Sequence, residues 1–340
     1  MKITHFLAGT LLLTASLLSG CAWAPFSQER AVVHYANALS ANAANLDDEA
    51  IEELEEAVAL DGQFSLAYSM LGDLHRRQGN YEQAAQAYEN ACELDPWAFN
   101  DHLSLGQVYQ VLERFTQAIG ALKRACQLKP QSPQANYALG VCYYEVADYD
   151  QAAVFCGKAA QLDDDNEAIK ASLGDIYVKQ GQYYDAINAY KQALEIDGDQ
   201  TEIMVKLGTT YVQMKRFGPA ELILKKAIDA QPDKPAPQIA MGFCQLKQGH
   251  YQQALAFYQG ALGVNDHNEE AYNGVGVAYM LMYLRAKQQT QAAQTALRPQ
   301  DIEYAKQALA HWHRSLELNS AQPKIRKQVD KYTTEIYPGQ

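Results

Sequence analysis

The sequence predicts an all-α solenoid, about eight stacked helix-turn-helix repeats closed by a C-terminal helix. Three observations predict it. A Leu-Gly pair returns every 34 residues, at Leu71-Gly72, Leu105-Gly106, Leu139-Gly140, Leu173-Gly174 and Leu207-Gly208, and Met241-Gly242 and Val275-Gly276 continue the series. Alanine returns in the same phase at two further columns, from Ala50 and Ala84 to Ala254, and from Ala57 and Ala91 to Ala261. Between these markers the apolar residues fall at helical spacing, on one face of a first helix and one face of a second. A fixed period of this length is the mark of a supersecondary unit that cannot bury its own apolar face and must stack on its neighbours.

With the frame opened at Ala31, units start at 31, 65, 99, 133, 167, 201, 235 and 269. Positions 4, 7, 8 and 11 of each unit share a face of helix A; positions 20, 24 and 27 share a face of helix B. Position 17 is aromatic in six units (Tyr81, Phe115, Tyr149, Tyr183, Phe217 and Tyr251) and opens helix B. Position 32 takes turn residues such as Pro96, Pro130, Gly198 and Pro232. Glycine inside a helix costs about 1 kcal/mol relative to alanine. Its recurrence at position 8 therefore predicts a packing role, a close approach of helix A to the alanine at position 20.

The ends depart from the pattern. The first unit carries Asn37-Ala38 where Leu-Gly is expected and Asp47 at the aromatic column. The eighth begins regularly with Tyr272, Val275, Gly276 and Tyr279, but its helix B columns reappear only at Ala308, Trp312, Ser315 and Leu318, which places an insertion of 20 residues near 286–302. The insertion is expected to lengthen both helices, with a break near Arg298-Pro299. The array thus spans 31–322. Residues 323–340 form a capping helix with Ile325, Val329 and Tyr332 on one face and Lys324, Arg326, Lys327 and Lys331 keeping the rest soluble.

Residues 1–20 are different in kind. Lys2 is followed by an apolar run from Phe6 to Leu18, too short for a stable membrane span and suited to a signal peptide. The run ends in Leu18-Ser19-Gly20-Cys21, which resembles the bacterial lipobox. That resemblance implies cleavage before Cys21, diacylation of its thiol, and residues 21–30 as a tether. Each buried methylene contributes about 0.8 kcal/mol, so two or three acyl chains hold firmly where one does not. Ala22 rather than Asp after the cysteine implies, by the same family pattern, a lipid anchor in the outer membrane of a bacterial cell envelope, facing the periplasm.

The repeat columns resemble the tetratricopeptide repeat (TPR), and the resemblance covers nearly all of the chain after the leader. It implies a right-handed superhelix whose concave side is lined by helices A, mainly through positions 2, 5, 9, 12 and 13. In those columns stand Tyr137, Val141 and Tyr144 of the fourth unit, Val178 of the fifth, Val205 and Val212 of the sixth, Ile239, Phe243 and Leu246 of the seventh, and Val277 and Met280 of the eighth. An apolar stripe of this extent marks a site for a protein or peptide partner. The clamp that some TPR proteins use for C-terminal carboxylates needs Lys, Asn and Arg at position 9, where this chain has Asp73, Gln107, Val141, Asp175 and Thr209. Family members that pair a lipobox with TPRs include pilotins that assemble pilus secretins and adaptors of cell-wall enzymes. The implied function is a membrane-anchored scaffold or assembly factor. The alternative is a subunit or adaptor of a cell-wall or glycan-modifying system, or an enzyme in its own right.

Nothing in the sequence favours catalysis. There is no GxSxG, P-loop or HExxH motif, and no cofactor is expected. His311 and His313 point about 200° apart on a helix and make no metal site. Asp163-Asp164-Asp165 lacks the alternation and glycine of a calcium loop. The net charge of −12, from 28 basic and 40 acidic residues, argues against nucleic acid as a partner. Of six cysteines, Cys126 at position 28 and Cys142 at position 10 of the next unit are expected to face each other across a repeat junction, a candidate disulfide. Cys156 occupies the buried position 24.

Overall fold

The computed structural model describes the backbone of residues 9–337 and the side chains of residues 26–337. Over that range the chain is all-α, with seventeen helices. The first repeat pairs α1 (Gly9–Ala43) with α2 (Asp47–Leu60). The next three pair α3 (Ser65–Arg77) with α4 (Tyr81–Leu94), α5 (Phe99–Val111) with α6 (Phe115–Leu128), and α7 (Pro133–Glu145) with α8 (Tyr149–Leu162). These form one compact body, up to Asp164. The second body, from Asp165, pairs α9 (Glu167–Lys179) with α10 (Tyr183–Ile196), α11 (Thr201–Gln213) with α12 (Phe217–Ala230), α13 (Pro235–Gln248) with α14 (Tyr251–Val264), and α15 (Glu269–Ala293) with α16 (Pro299–Leu318), and ends in α17 (Pro323–Ile336).

The glycine at position 8 has a different partner from the one the sequence suggests. A Cβ built on Gly72, Gly106, Gly174 or Gly208 would strike the side chain at position 24 of the same repeat, at 2.6 Å from Tyr88, 2.4 Å from Leu122, 2.4 Å from Tyr190 and 2.6 Å from Leu224. The missing side chain is a seat for that knob. Tyr88, Leu122, Tyr190 and Leu224 are among the most deeply buried large side chains, each worth about 1.5–3 kcal/mol of apolar burial. At Gly140 the backbones do come close, since the added carbon would meet Cys156 Sγ at 2.4 Å, its backbone nitrogen at 2.9 Å and the Ala152 carbonyl at 3.2 Å. The small residue Cys156 at position 24 permits that approach. The alanine columns at positions 20 and 27 are wholly buried, Ala50, Ala118, Ala186 and Ala57, Ala125, Ala193 among them.

Position 15 turns each helix A into its helix B through the left-handed region. Gly79, Gly181 and Gly249 take it with φ of 79°, 74° and 83°, and Asn45, Glu113, Ala147 and Lys215 take it with φ between 57° and 60°. A residue with a Cβ pays roughly 1–2 kcal/mol there, and the seven turns share one geometry because the packing on either side fixes it.

The eighth repeat stretches to 25 residues in α15 and 20 in α16. Gln294 takes a left-handed cap, and Arg298 and Asp301 bond reciprocally at the start of α16. Trp312 fills the seat left by Gly276, at 2.5 Å from the added carbon. Ile325, Val329 and Tyr332 of α17 join Trp312 and Leu309 in a terminal core.

Two alanine substitutions separate the seat from helix propensity. Gly140→Ala should lose about 1–3 kcal/mol in urea denaturation through overpacking. Gly157→Ala in α8, where an added carbon meets nothing within 4 Å, should gain about 0.5–1 kcal/mol.

Candidate functional site

In the second body the helices A of repeats six to eight enclose a concavity of about 540 Å³. Val205 of α11, Ile239, Phe243 and Leu246 of α13, and Val277 of α15 meet there, five of the residues that the sequence places in the groove columns. Phe243 is half-buried, with the Lys247 Nζ 5.2 Å from its ring centre. The ring of Tyr258 reaches the wall from α14 because Gly242 and Gly274 leave room on either side, at 2.9 and 2.4 Å from their added carbons. The apolar floor is rimmed by Thr209, Gln213 and Asn273, with Lys247 and Glu270 as its charges. Burial, reinforced by Glu269, raises the Glu270 carboxyl above the usual carboxylate range.

Other expected groove residues lie elsewhere. Val212 and Met280, each 3% exposed, are core residues: Val212 packs with Leu207 and Tyr211, Met280 with Tyr283 and Leu309. Both stand at position 12, whose side chain turns inward in those repeats. Val178 packs against the core of the second body. Ile239 lines the concavity while only 6% exposed. In the first body, Tyr137, Val141 and Tyr144 lie half-buried along α7, and Tyr144 meets Tyr149 edge-on at 5.6 Å. A selection of apolar residues alone passes over Thr209, Gln213 and Asn273, although they occupy positions 9, 13 and 5 of the same face.

A second concavity, of about 660 Å³, lies in the first body between α1 and α3 and is lined by Tyr35, Leu39, Leu66, Met70, Arg76 and Arg77. Its acid is tied into the fold. Tyr88 donates to Asp73 Oδ1 at 2.6 Å, and Arg76 donates to Tyr88 at 3.3 Å. The arrangement returns in the fifth repeat, where Tyr190 donates to Asp175 at 2.6 Å and Lys206 pairs with it at 2.9 Å. Position 9 acids thus anchor the tyrosine knob of their own repeat.

The Cys126–Cys142 bridge is not formed; both are free and buried. Burial raises both thiols, opposed at Cys142 by a hydrogen bond with Gln110 of α5 and at Cys126 by the charge of Lys158 of α8. Burial pushes the thiols of Cys92, Cys142 and Cys156 up to about 12 and that of Cys244 to about 11. His311 stacks between Tyr272 and Tyr279, with ring centres 5.9 Å away on each side, and burial lowers its pKa. Among the described residues no three His, Cys, Asp or Glu side chains group as a metal site.

An array of helix pairs with a lined concave face defines a TPR-type protein. The family model for the cilia and flagella-associated protein 70 C-terminal domain, a TPR domain, matches residues 30–275, and the chain belongs to that family. Among solved structures, YrrB, a TPR protein with an unusual peptide-binding site, shares 22% identity at a TM-score of 0.50, over 54% of this chain and 95% of its own. A MamA protein shares 25% identity at a TM-score of 0.49, over 50% of this chain and 93% of its own. PilF of Pseudomonas aeruginosa shares 18% at 0.49, over 69% and 97%. No curated protein sequence matches. TPR proteins are typically non-enzymatic scaffolds that bind protein or peptide partners.

Thiol counting tests the unbridged cysteines. At pH near 8 a thiol of pKa about 12 is ionised in roughly one molecule in ten thousand, so Cys92, Cys142 and Cys156 should resist alkylation until the chain is unfolded. Unfolded without reductant, all five cysteines of the repeats should then react; a bridge would remove two.

Proposed function

We propose that the chain is a membrane-anchored, periplasm-facing scaffold or assembly factor that holds an apolar peptide or amphipathic helix of its partner in the groove between α11, α13 and α15. The observation that carries the binding half is the convergence of Val205, Phe243, Leu246 and Val277 on one concavity with a polar rim. Aromatic anchors in such settings dominate binding energy, and Phe243 is the one aromatic that sits at a groove column there. Each helix A reaches this face without spending its packing columns, since positions 3, 7 and 10 hold the array together.

The anchoring half rests on Leu18-Ser19-Gly20-Cys21 at the end of the apolar run. The leader and the Cys21 side chain lie outside the residues whose side chains are described. No helix searched among the described residues is long and apolar enough to cross a membrane. Acyl chains on Cys21 would supply the attachment and place the scaffold on the periplasmic side of the outer membrane.

Two experiments test the halves separately. Phe243→Asp should weaken capture of the bound partner by about thirtyfold, a loss of roughly 2 kcal/mol, with helicity unchanged. Leu222→Asp, at a site 76% exposed on α12 and outside the groove, should leave capture intact. Equal capture by both variants would move the site off this groove. For the anchor, a fatty-acid probe should label the wild type and not Cys21→Ser, and the variant should leave the membrane fraction; label retained on the variant would remove Cys21 from the account.

A further inference from the structure

The two ends of the array carry opposite charge, and one of them is open. Positions 3 and 10 seat a helix A on the helix B before it, as α3 on α2 and α11 on α10. They are buried in later repeats: Ala67 and Leu74, Ala135 and Cys142, Ile203 and Thr210, Ala271 and Ala278. In the first repeat the same columns hold Val33, 58% exposed, and Ser40, also exposed. The stripe continues through Asn37 and Ala44 into a groove of about 660 Å³ between α1 and α2. The other wall of that groove is acidic. Helix α2 holds seven carboxylates and no base, and Glu49, Glu52 and Glu56 form an exposed row at i, i+3 and i+7. Glu53 is spent on His34 at 2.6 Å; Glu49, Glu52 and Glu56 make no hydrogen bond or ion pair among the described residues.

At the other end, α17 occupies the place of a ninth helix A. Counting back from Ala308 at position 20 puts Pro323 at position 1, so that Ile325, Val329 and Tyr332 fall at positions 3, 7 and 10 and are buried accordingly. Among the described residues no helix B follows it. Its exposed face carries Lys324, Lys327 and Lys331 at the same i, i+3 and i+7 spacing as the carboxylates of α2. In a chain of net charge −12 this helix has four bases and two acids, and one of those acids, Glu335, is already paired with Lys287 at 2.5 Å.

We propose that the α1–α2 groove receives helix α17 of a second copy of this chain, giving a head-to-tail association. The lysine heads meet Glu49, Glu52 and Glu56, and their aliphatic stems lie over Val33 and Ala44. The contact is heterologous, because the two surfaces differ, so it repeats from copy to copy until it closes or runs on. It uses neither the α11–α13–α15 groove nor Cys21, so its success or failure is independent of the function proposed above.

Sedimentation velocity on the full chain in mild detergent tests it. Near 0.01 M ionic strength, where charges act over about 30 Å, the sedimentation coefficient should rise with concentration; near 1 M, where they act over about 3 Å, it should not. Glu49→Lys/Glu52→Lys/Glu56→Lys should stay monomeric at low salt, as should Lys324→Glu/Lys327→Glu. All five positions are solvent-exposed, and circular dichroism should show both variants as helical as the wild type. A mixture of the two variants should associate again, because each supplies the charge the other has lost. The proposal is overturned if the wild type does not associate. It is equally overturned if either variant associates alone, as contact through the leader would allow, or if the mixture stays monomeric.

Discussion

The structure depends on a knob at position 24 seated against a glycine at position 8. The seat excludes any side chain: an added carbon would lie 2.4–2.9 Å from the knob in every repeat from the second to the eighth. The knobs differ (Tyr88, Leu122, Cys156, Tyr190, Leu224, Tyr258 and Trp312), so the glycine is the invariant half of the contact and the repeat tolerates variety in the other half. Because the seat lies within a repeat, it fixes the angle of each helix pair before any stacking. The left-handed turn at position 15 then follows as the route between helices already positioned, which is why Ala147 and Lys215 adopt it as readily as Gly79 and Gly181.

From that constraint the division of faces follows. Positions 7, 8 and 11 close the pair, positions 3 and 10 stack it on its predecessor, and positions 2, 5, 9 and 13 are left over. The residue left over is what a partner can touch. Where the chain places polar groups in those columns, it uses some of them internally. Asp73 and Asp175 hold the hydroxyls of Tyr88 and Tyr190 and so lock the knob as well as the groove rim. In repeats six to eight no such pairing occupies the floor, and Val205, Phe243 and Val277 remain as an apolar lining.

Much of this was legible in the sequence because a 34-residue period repeats each signal and leaves little room for chance. The helix pairs and the buried alanine columns follow from column positions, and the five residues that meet in the concavity from the groove columns that the TPR resemblance implies. What was not legible depends on direction within a column. Val212 and Met280 share position 12 with Tyr144, yet turn into the core while Tyr144 stays half-exposed, and neighbouring side-chain volumes decide which. The Cys126–Cys142 bridge is a related case: helical angle puts the two on the same junction, but it does not set the distance between their sulfurs, and both stay free and buried. Gly79, Gly181 and Gly249 recur at position 15 and carried a signal for the left-handed turn, partly hidden by the non-glycine residues at the other four turns. The acidic row on α2 and the basic row on α17 each read as a solvated surface until the open columns of α1 give the first of them a neighbour to receive.

The array is held by its inner columns and binds with the ones left over. Hydrogen exchange of the full chain, measured with and without its captured partner, tests that division most directly. Binding should slow exchange in α11, α13 and α15 and leave α12 and α14 unchanged. Slowing confined to α12 and α14, on the outer helices, would contradict it.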